Sequence, residues 1–256
     1  MGRDGDRAQG VADHALGARR GRTGLLSLQS LVRSLADNKQ LLGMRYAEWC
    51  TRAPTLEADI AAAAMGLDDI GHSRVLAGCV PELGAELEAR DAASYRNIAF
   101  LDRPFLKWGD FIAANVILDT AFTLMIEALA SGNVDVLRTR LRKMLQEERY
   151  HFLHGHSWMQ EADASAAIAG AWKEAVEWFG PEGGDVDALK ASGALSQDVT
   201  GLRARLRERV GLDEPRFAID WTRWDPTRRR TAPGQIDEAT LGMIQGLAEK
   251  RYMPGG

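Results

Sequence analysis

The chain has 256 residues, 45% hydrophobic, 27% charged and 7% aromatic, a balance that supports a packed core and excludes a disordered or collagen-like chain. Lys plus Arg number 32 against 36 Asp plus Glu, and the formal net charge of −4 gives no electrostatic basis for a nucleic-acid or anionic-membrane partner. The longest uncharged apolar stretches, such as 60–67 and 111–118, end at Asp68 and Asp119, short of the roughly 20 residues a helical membrane span needs.

Cys50 and Cys79 are too few for a disulfide framework or a thiolate zinc site, so both are expected as reduced, packed thiols. Residues 1–24 mix Arg, Gly and Asp without a continuous apolar core, which argues against a secretory signal and predicts a flexible N-terminal segment in a cytoplasmic protein. Residues 25–256 are expected to form a single domain.

From Leu25 onward apolar residues recur at three- and four-residue intervals, the period of helices. The first long helix is predicted over about 25–50. Pro54 disfavours helix in the residue before it, and Thr55 is a good N-cap for a second helix over about 56–79, ending near Pro81. Residues 82–103 read as a long crossover with a short helix in its middle. A third long helix over about 105–130 follows Pro104, and Ser131-Gly132-Asn133 lets the chain reverse into a fourth, from Val134 to about Glu161. Two helical hairpins joined by one long connection describe an all-α, ferritin-like four-helix bundle. Further helices are predicted at about 165–179, 197–210 and 237–251, packed outside the bundle. The stretch Arg228-Arg229-Arg230 reads as a solvated loop.

Two carboxylate-x-x-His units stand on corresponding helices of the two hairpins: Asp69 with His72, and Glu148 with His151. Such i, i+3 pairs place an oxygen and an imidazole ligand one turn apart, the device by which bundles build di-iron sites. The remaining two helices must then each supply a carboxylate at the same height. Counting from the second turn puts Asp119 opposite Glu148, in an apolar segment where an unpaired carboxylate is costly. The same 29-residue separation counted back from Asp69 lands on Gln40, an amide that brings no negative charge. The candidate metal ligands are therefore Asp69, His72, Asp119, Glu148 and His151, with either Gln40 or Asp37, one turn earlier, open as the sixth. His154 is expected as a helix neighbour of His151, Glu127 as a surface group, and the tryptophans as packing residues. Buried carboxylates and histidines can also simply hydrogen-bond one another.

The segments 35–38, 48–57 and 66–68 with Gly71 and Arg74, then Glu147-Glu148-Arg149-Tyr150-His151 with Trp158, resemble the C-type, structural component of the phenylacetyl-CoA 1,2-epoxidase complex. The resemblance runs over about residues 25–255 and is loose between 180 and 235. It implies a ferritin-like chain that has lost metal ligands and partners a di-iron catalytic component. Gly71-His72 and Asp69 resemble instead that catalytic, A-type component, whose first-helix glutamate falls at Gln40.

Two functions follow. One is a non-haem oxygenase that holds iron, expected as two ions with one site weakened, draws electrons from an external reductase, and oxidises an aromatic or acyl-CoA-type substrate with O2. The other is a non-catalytic subunit that stabilises a di-iron partner of an aromatic-CoA monooxygenase complex. The partner is expected to be a related ferritin-like subunit, or a second copy in a homodimer. The sequence favours the oxygenase, because burying a carboxylate-x-x-His pair has no packing rationale, and it predicts a cavity accompanied by Phe122 and Met125.

Overall fold

The computed structural model describes residues 4–80, 90–160 and 163–251, with side chains described over 24–247. Helix α1 spans Asp4–Ala47, and its N-terminal part lies within segment 1–24. α2 follows at Leu56–Ala77, capped by the Thr55 side chain, whose oxygen accepts from the Ala58 N–H at 3.2 Å. The two helices pack along their length. Their closest approach is at Gly43 and Gly66, where a Cβ on Gly43 would lie 2.7 Å from the Gly66 carbonyl oxygen and one on Gly66 2.8 Å from that of Gly43. Only two glycines permit this crossing.

Residues 81–89 lie outside the described residues, so the short helix expected within the crossover is seen only as 3₁₀ turns at Ala92–Ser94 and Ala99–Leu101. This segment is strapped to one face of α1. Arg90 donates to both Asp37 oxygens at 3.0 and 2.5 Å, the Arg96 N–H donates to the same carboxylate at 2.9 Å, and the Ile98 N–H donates to Asn38 Oδ1 at 2.9 Å. Asp37 is thus a crossover anchor facing Arg90, not the alternative sixth ligand.

The third bundle helix begins at Trp108, later than the Pro104 boundary suggests. It comprises α3 (Trp108–Ala113), a π-helical stretch (Ala114–Asp119) and α4 (Thr120–Ala130). Over Trp108–Ala130 it is apolar and long enough to cross a membrane, but it is the buried helix of the bundle. The fourth is interrupted: α5 (Asp135–Arg140) and α6 (Met144–Trp158) are separated by a break at 141–143. α7 (Ser165–Phe179), α8 (Asp185–Ala191) and α9 (Val199–Val210) pack outside the bundle, and α10 (Glu238–Arg251) closes the chain. Among the described residues the architecture is all-helical, its only strand-like feature being one isolated bridge between Asp225 and Arg230.

Two expectations are corrected. Cys50 is exposed at the α1–α2 connection, while Cys79 is half-buried. Arg229 and Arg230 are buried, not solvated. Arg229 donates to the carbonyls of Trp178 and Phe179 and pairs with Asp185 at 2.5 Å; Arg230 pairs with Asp102 at 2.9 Å and donates to the Asn97 carbonyl. They satisfy carbonyls at the end of α7 and in the crossover that water would otherwise have to reach. Trp178 bonds Ser34 Oγ at 2.9 Å, so α7 is tied to α1.

Candidate metal-like centre of the bundle

Four helices converge on a buried polar cluster. α2 supplies Asp69 and His72, the π-helical stretch supplies Asp119, and α6 supplies Glu148 and His151, all buried. The sequence-derived set is therefore brought together. Asp69, Asp119, Glu148 and His151 each offer a ligand-type atom, and these atoms lie within 4.8 Å of one another. The π-helical stretch ends at Asp119; such turns recur at functional sites because they displace one side chain relative to an α-helical register.

The first helix contributes Lys39. Its fully buried ammonium donates to Asp69 Oδ1 at 2.9 Å and, at closer range, to Asp119 Oδ1 and Glu148 Oε1. An ammonium has three protons and no lone pair, and each proton is here given to a different carboxylate. Neighbouring Gln40 is also buried, but its Oε1 has no hydrogen-bond partner.

The histidines bridge the cluster to its rim. His151 Nδ1 lies 3.0 Å from Asp119 Oδ2, with Nε2 3.5 Å from Asp68. His72 Nε2 lies 2.8 Å from Glu147, and its Nδ1 is 2.9 Å from Glu148 Oε1, off the line of a hydrogen bond. Thr123 donates to Glu148 Oε2 at 2.8 Å. Tyr46 donates to Asp119 Oδ2 at 3.3 Å and accepts from Asn115 at 3.1 Å. Gly155 allows this packing: a Cβ there would meet Asn115 Oδ1 at 1.8 Å.

Burial alone would discharge Lys39, but Asp119, Asp69 and Glu148 outweigh it and hold the ammonium well above the usual lysine range. Burial likewise opposes charge on His72, yet contacts with Asp69 and Glu148 raise it to about 10. His151 is held well above 6.5 against burial by Asp119 and Asp68. Burial, with the charges of Asp69 and Glu148, pushes Asp119 up to about 6, whereas Lys39 overcomes burial to hold Glu148 well below the usual range. The Lys39 ammonium thus sits at the centre of the three buried carboxylates, with His72 and His151 between them and the outer carboxylates Glu147 and Asp68.

A cleft of about 300 Å³ reaches the cluster between the third and fourth bundle helices and α9. Asp119 and Glu148 line it, with Thr120, Thr123, Leu145 and Phe152. Phe122 and Met125 do not line this cleft: both are fully buried in the apolar core, Phe122 with its ring centroid 4.9 Å from that of Trp178. His154 packs edge-on against Trp108 and Phe111 as a helix neighbour, and Glu127 pairs with Arg205 and Arg209.

Sequence reasoning passed over Lys39, Asp68, Glu147 and Tyr46. Lys39 gave little signal, because its neighbours Asp37, Asn38 and Gln40 are polar and a lysine in such a run is ordinarily solvated. The equal-spacing count missed it because the second hairpin is irregular, with a π-helical stretch before Asp119 and a break at 141–143 before Glu148.

Comparison with known proteins agrees with this architecture. The chain is 26% identical over 237 residues to the C component of the 1,2-phenylacetyl-CoA epoxidase of Escherichia coli (strain K12), covering 87% of this chain and 85% of that protein. The model of the family described as phenylacetic acid catabolic protein matches residues 23–212, and the chain belongs to that family.

Proposed function

We propose that this chain is a non-catalytic, structural subunit of an aromatic acyl-CoA oxygenase assembly in phenylacetate catabolism, its own core closed by Lys39 instead of iron. The position of the Lys39 ammonium carries this reading. A di-iron bundle centre needs a carboxylate from the first helix; here that helix supplies a cation, which takes one oxygen from each of Asp69, Asp119 and Glu148. Two divalent ions would have to share the site with that ammonium, which lies between the three carboxylates and repels any cation they could hold. The residues present do not fit a resident metal pair.

Under this reading the iron, the reductase and the oxidation belong to a related ferritin-like partner chain. An exposed apolar row on α2 supports such a partner: Leu56, Ile60 and Leu67 are 70%, 62% and 72% exposed, which is costly on a lone chain. The oxygenase reading keeps one observation in its favour, the close grouping of Asp69, Asp119, Glu148 and His151, and it requires Lys39 to vacate the centre.

The test is metal content of the wild-type chain expressed in iron-supplemented medium and purified without chelator, alone and with a ferritin-like di-iron partner. The expected result is no stoichiometric iron in the isolated chain and a stable complex with the iron-bearing partner. One or two irons bound per isolated chain would sink the structural reading.

A further inference from the structure

The apolar row on α2 is ordered along the helix so that it complements itself. We propose that two copies of this chain pair through it, α2 against α2 in antiparallel order about a two-fold axis, and that the pairing covers the row until the iron-bearing chain takes it. The handover to that chain rests on the function proposed above; the pairing stands without it.

Leu56, Ile60, Ala63, Ala64, Leu67 and Gly71 recur at three- and four-residue intervals and share one face of the helix. The first five are exposed, and Gly71 is half-buried with open space where a Cβ would stand. The charged residues of this segment, Glu57, Asp59, Asp68 and Asp69, fall on its flanks or its buried side. The contacts of His72 with Glu147 and of His151 with Asp68 hold α6 alongside α2, where Tyr150 and Leu153 stand at the height of Leu67. Both are exposed, 73% and 52%, and they widen a surface that one helix pair would leave short of the roughly 800 Å² per partner of a stable interface.

A two-fold interface brings the same patch of both copies together, so each feature must meet its complement on the same patch. With the axis between residues 65 and 66, Leu67 falls opposite the partner's Ala64 and Ile60 opposite the partner's Gly71. A large side chain thus meets a small one on both sides of the axis, which lets the two helices approach closely. The ends match as well. The first turn of α2 is acidic at Glu57 and Asp59 and its last turn basic at Arg74. Antiparallel order brings each acidic end beside a basic end and opposes the two helix dipoles. Parallel order would set Leu67 against Leu67 and Glu57 against Glu57. The same acidic flanks disfavour an anionic lipid surface as the occupant.

The experiment is sedimentation velocity of the wild-type chain over a concentration series, a measurement that metal content does not enter. A reversible dimer of twice the 28.1 kDa chain mass is expected. Leu67→Glu, at a side chain largely in solvent, should keep its helical circular dichroism and run as a monomer. Leu106→Glu, the same change at an exposed leucine in the cleft beside the crossover, should leave the dimer intact. Glu57→Arg sets like charges together at both ends and should weaken the dimer about tenfold. A wild type that stays monomeric throughout, or a Leu67→Glu chain that dimerises as the wild type does, would overturn the pairing and leave the structural-subunit reading standing. A Glu57→Arg dimer of unchanged strength would overturn the antiparallel order. Adding a ferritin-like di-iron partner should convert the homodimer into a mixed dimer; a partner that binds the intact homodimer would overturn the handover.

Discussion

Lys39 is the residue on which the interior of this molecule turns. A lysine with no exposed surface is sustained only by paired carboxylates, and here three of them share its protons. Removing one member of a buried charge cluster costs about 3–5 kcal/mol because the remaining charges are left unpaired. Lys39→Met, close in length but uncharged, is therefore expected to lower the free energy of unfolding by about that amount, read as a fall in the urea midpoint at unchanged slope. The variant also leaves three carboxylates and two imidazoles around an uncharged centre. Millimolar Mn²⁺ should then raise the midpoint of Lys39→Met and leave the wild type unmoved. A variant as stable as wild type, or indifferent to Mn²⁺, would mean that the ammonium is not what balances Asp69, Asp119 and Glu148.

At the scale of elements, the cluster depends on how closely α1 and α2 approach, since Lys39 and Asp69 sit on opposite sides of that crossing. Gly43 and Gly66 set the distance: a Cβ at Gly43 would also fall 2.9 Å from Asp69 Cβ and 2.9 Å from the Ile70 nitrogen. These are backbone and near-backbone atoms that cannot rotate away. Gly43→Ala gains helix propensity of about 1 kcal/mol, but it forces the helices apart, a distortion that costs about 1–3 kcal/mol in a packed interior. With the charge cluster also stretched, the net expectation is a loss of about 1–2 kcal/mol. Gly71→Ala, where an added Cβ meets nothing within 4 Å, is the control and should be neutral or slightly stabilising. Thermal unfolding of the two variants beside wild type separates these outcomes. The helices themselves were legible in the sequence wherever a turn signal bounded them. Thr55 caps α2 as its side chain predicts, and the Gly180–Gly184 break falls between α7 and α8. The break at 141–143 was not legible, because no proline or glycine marks it and the sequence there is charged on both sides. Nor was the π-helical stretch, whose register follows from packing against α6 and α7.

For the whole molecule, four residues of the buried cluster, Asp69, His72, Glu148 and His151, were legible because carboxylate-x-x-His pairs are fixed by local helix geometry, and Asp119 was legible from its distance to the second turn. What was not legible was the cation between them, since the register of α1 against the other helices depends on irregularities elsewhere in the bundle. The carboxylates around that cation set how stability varies with pH, by holding protons on the two histidines. His72 is raised from 6.5 to about 10 in the folded chain, and His151 is also raised well above 6.5. Between pH 6.5 and about 10 the folded protein holds protons that the unfolded chain has lost. The stability from these groups is therefore complete below pH 6.5 and declines as pH rises toward 10. Each histidine contributes a slope of about 1.4 kcal/mol per pH unit at most. Glu148 acts in the opposite sense: held well below 4.5 when folded, it contributes stability above pH 4.5 that is lost on acidification. Asp119, raised from 3.8 to about 6, adds a further decline as pH rises from about 4 to 6. The expected profile has its maximum on the acid side of neutrality and falls steadily from pH 6.5 to 9. Urea unfolding at pH 6.5, 7.5 and 8.5 measures the slope directly, and His72→Gln should remove about half of it, because an amide cannot take up the proton. A wild-type profile that is flat across this window would mean that the histidines are neutral in the folded protein and that Lys39 alone faces the three carboxylates.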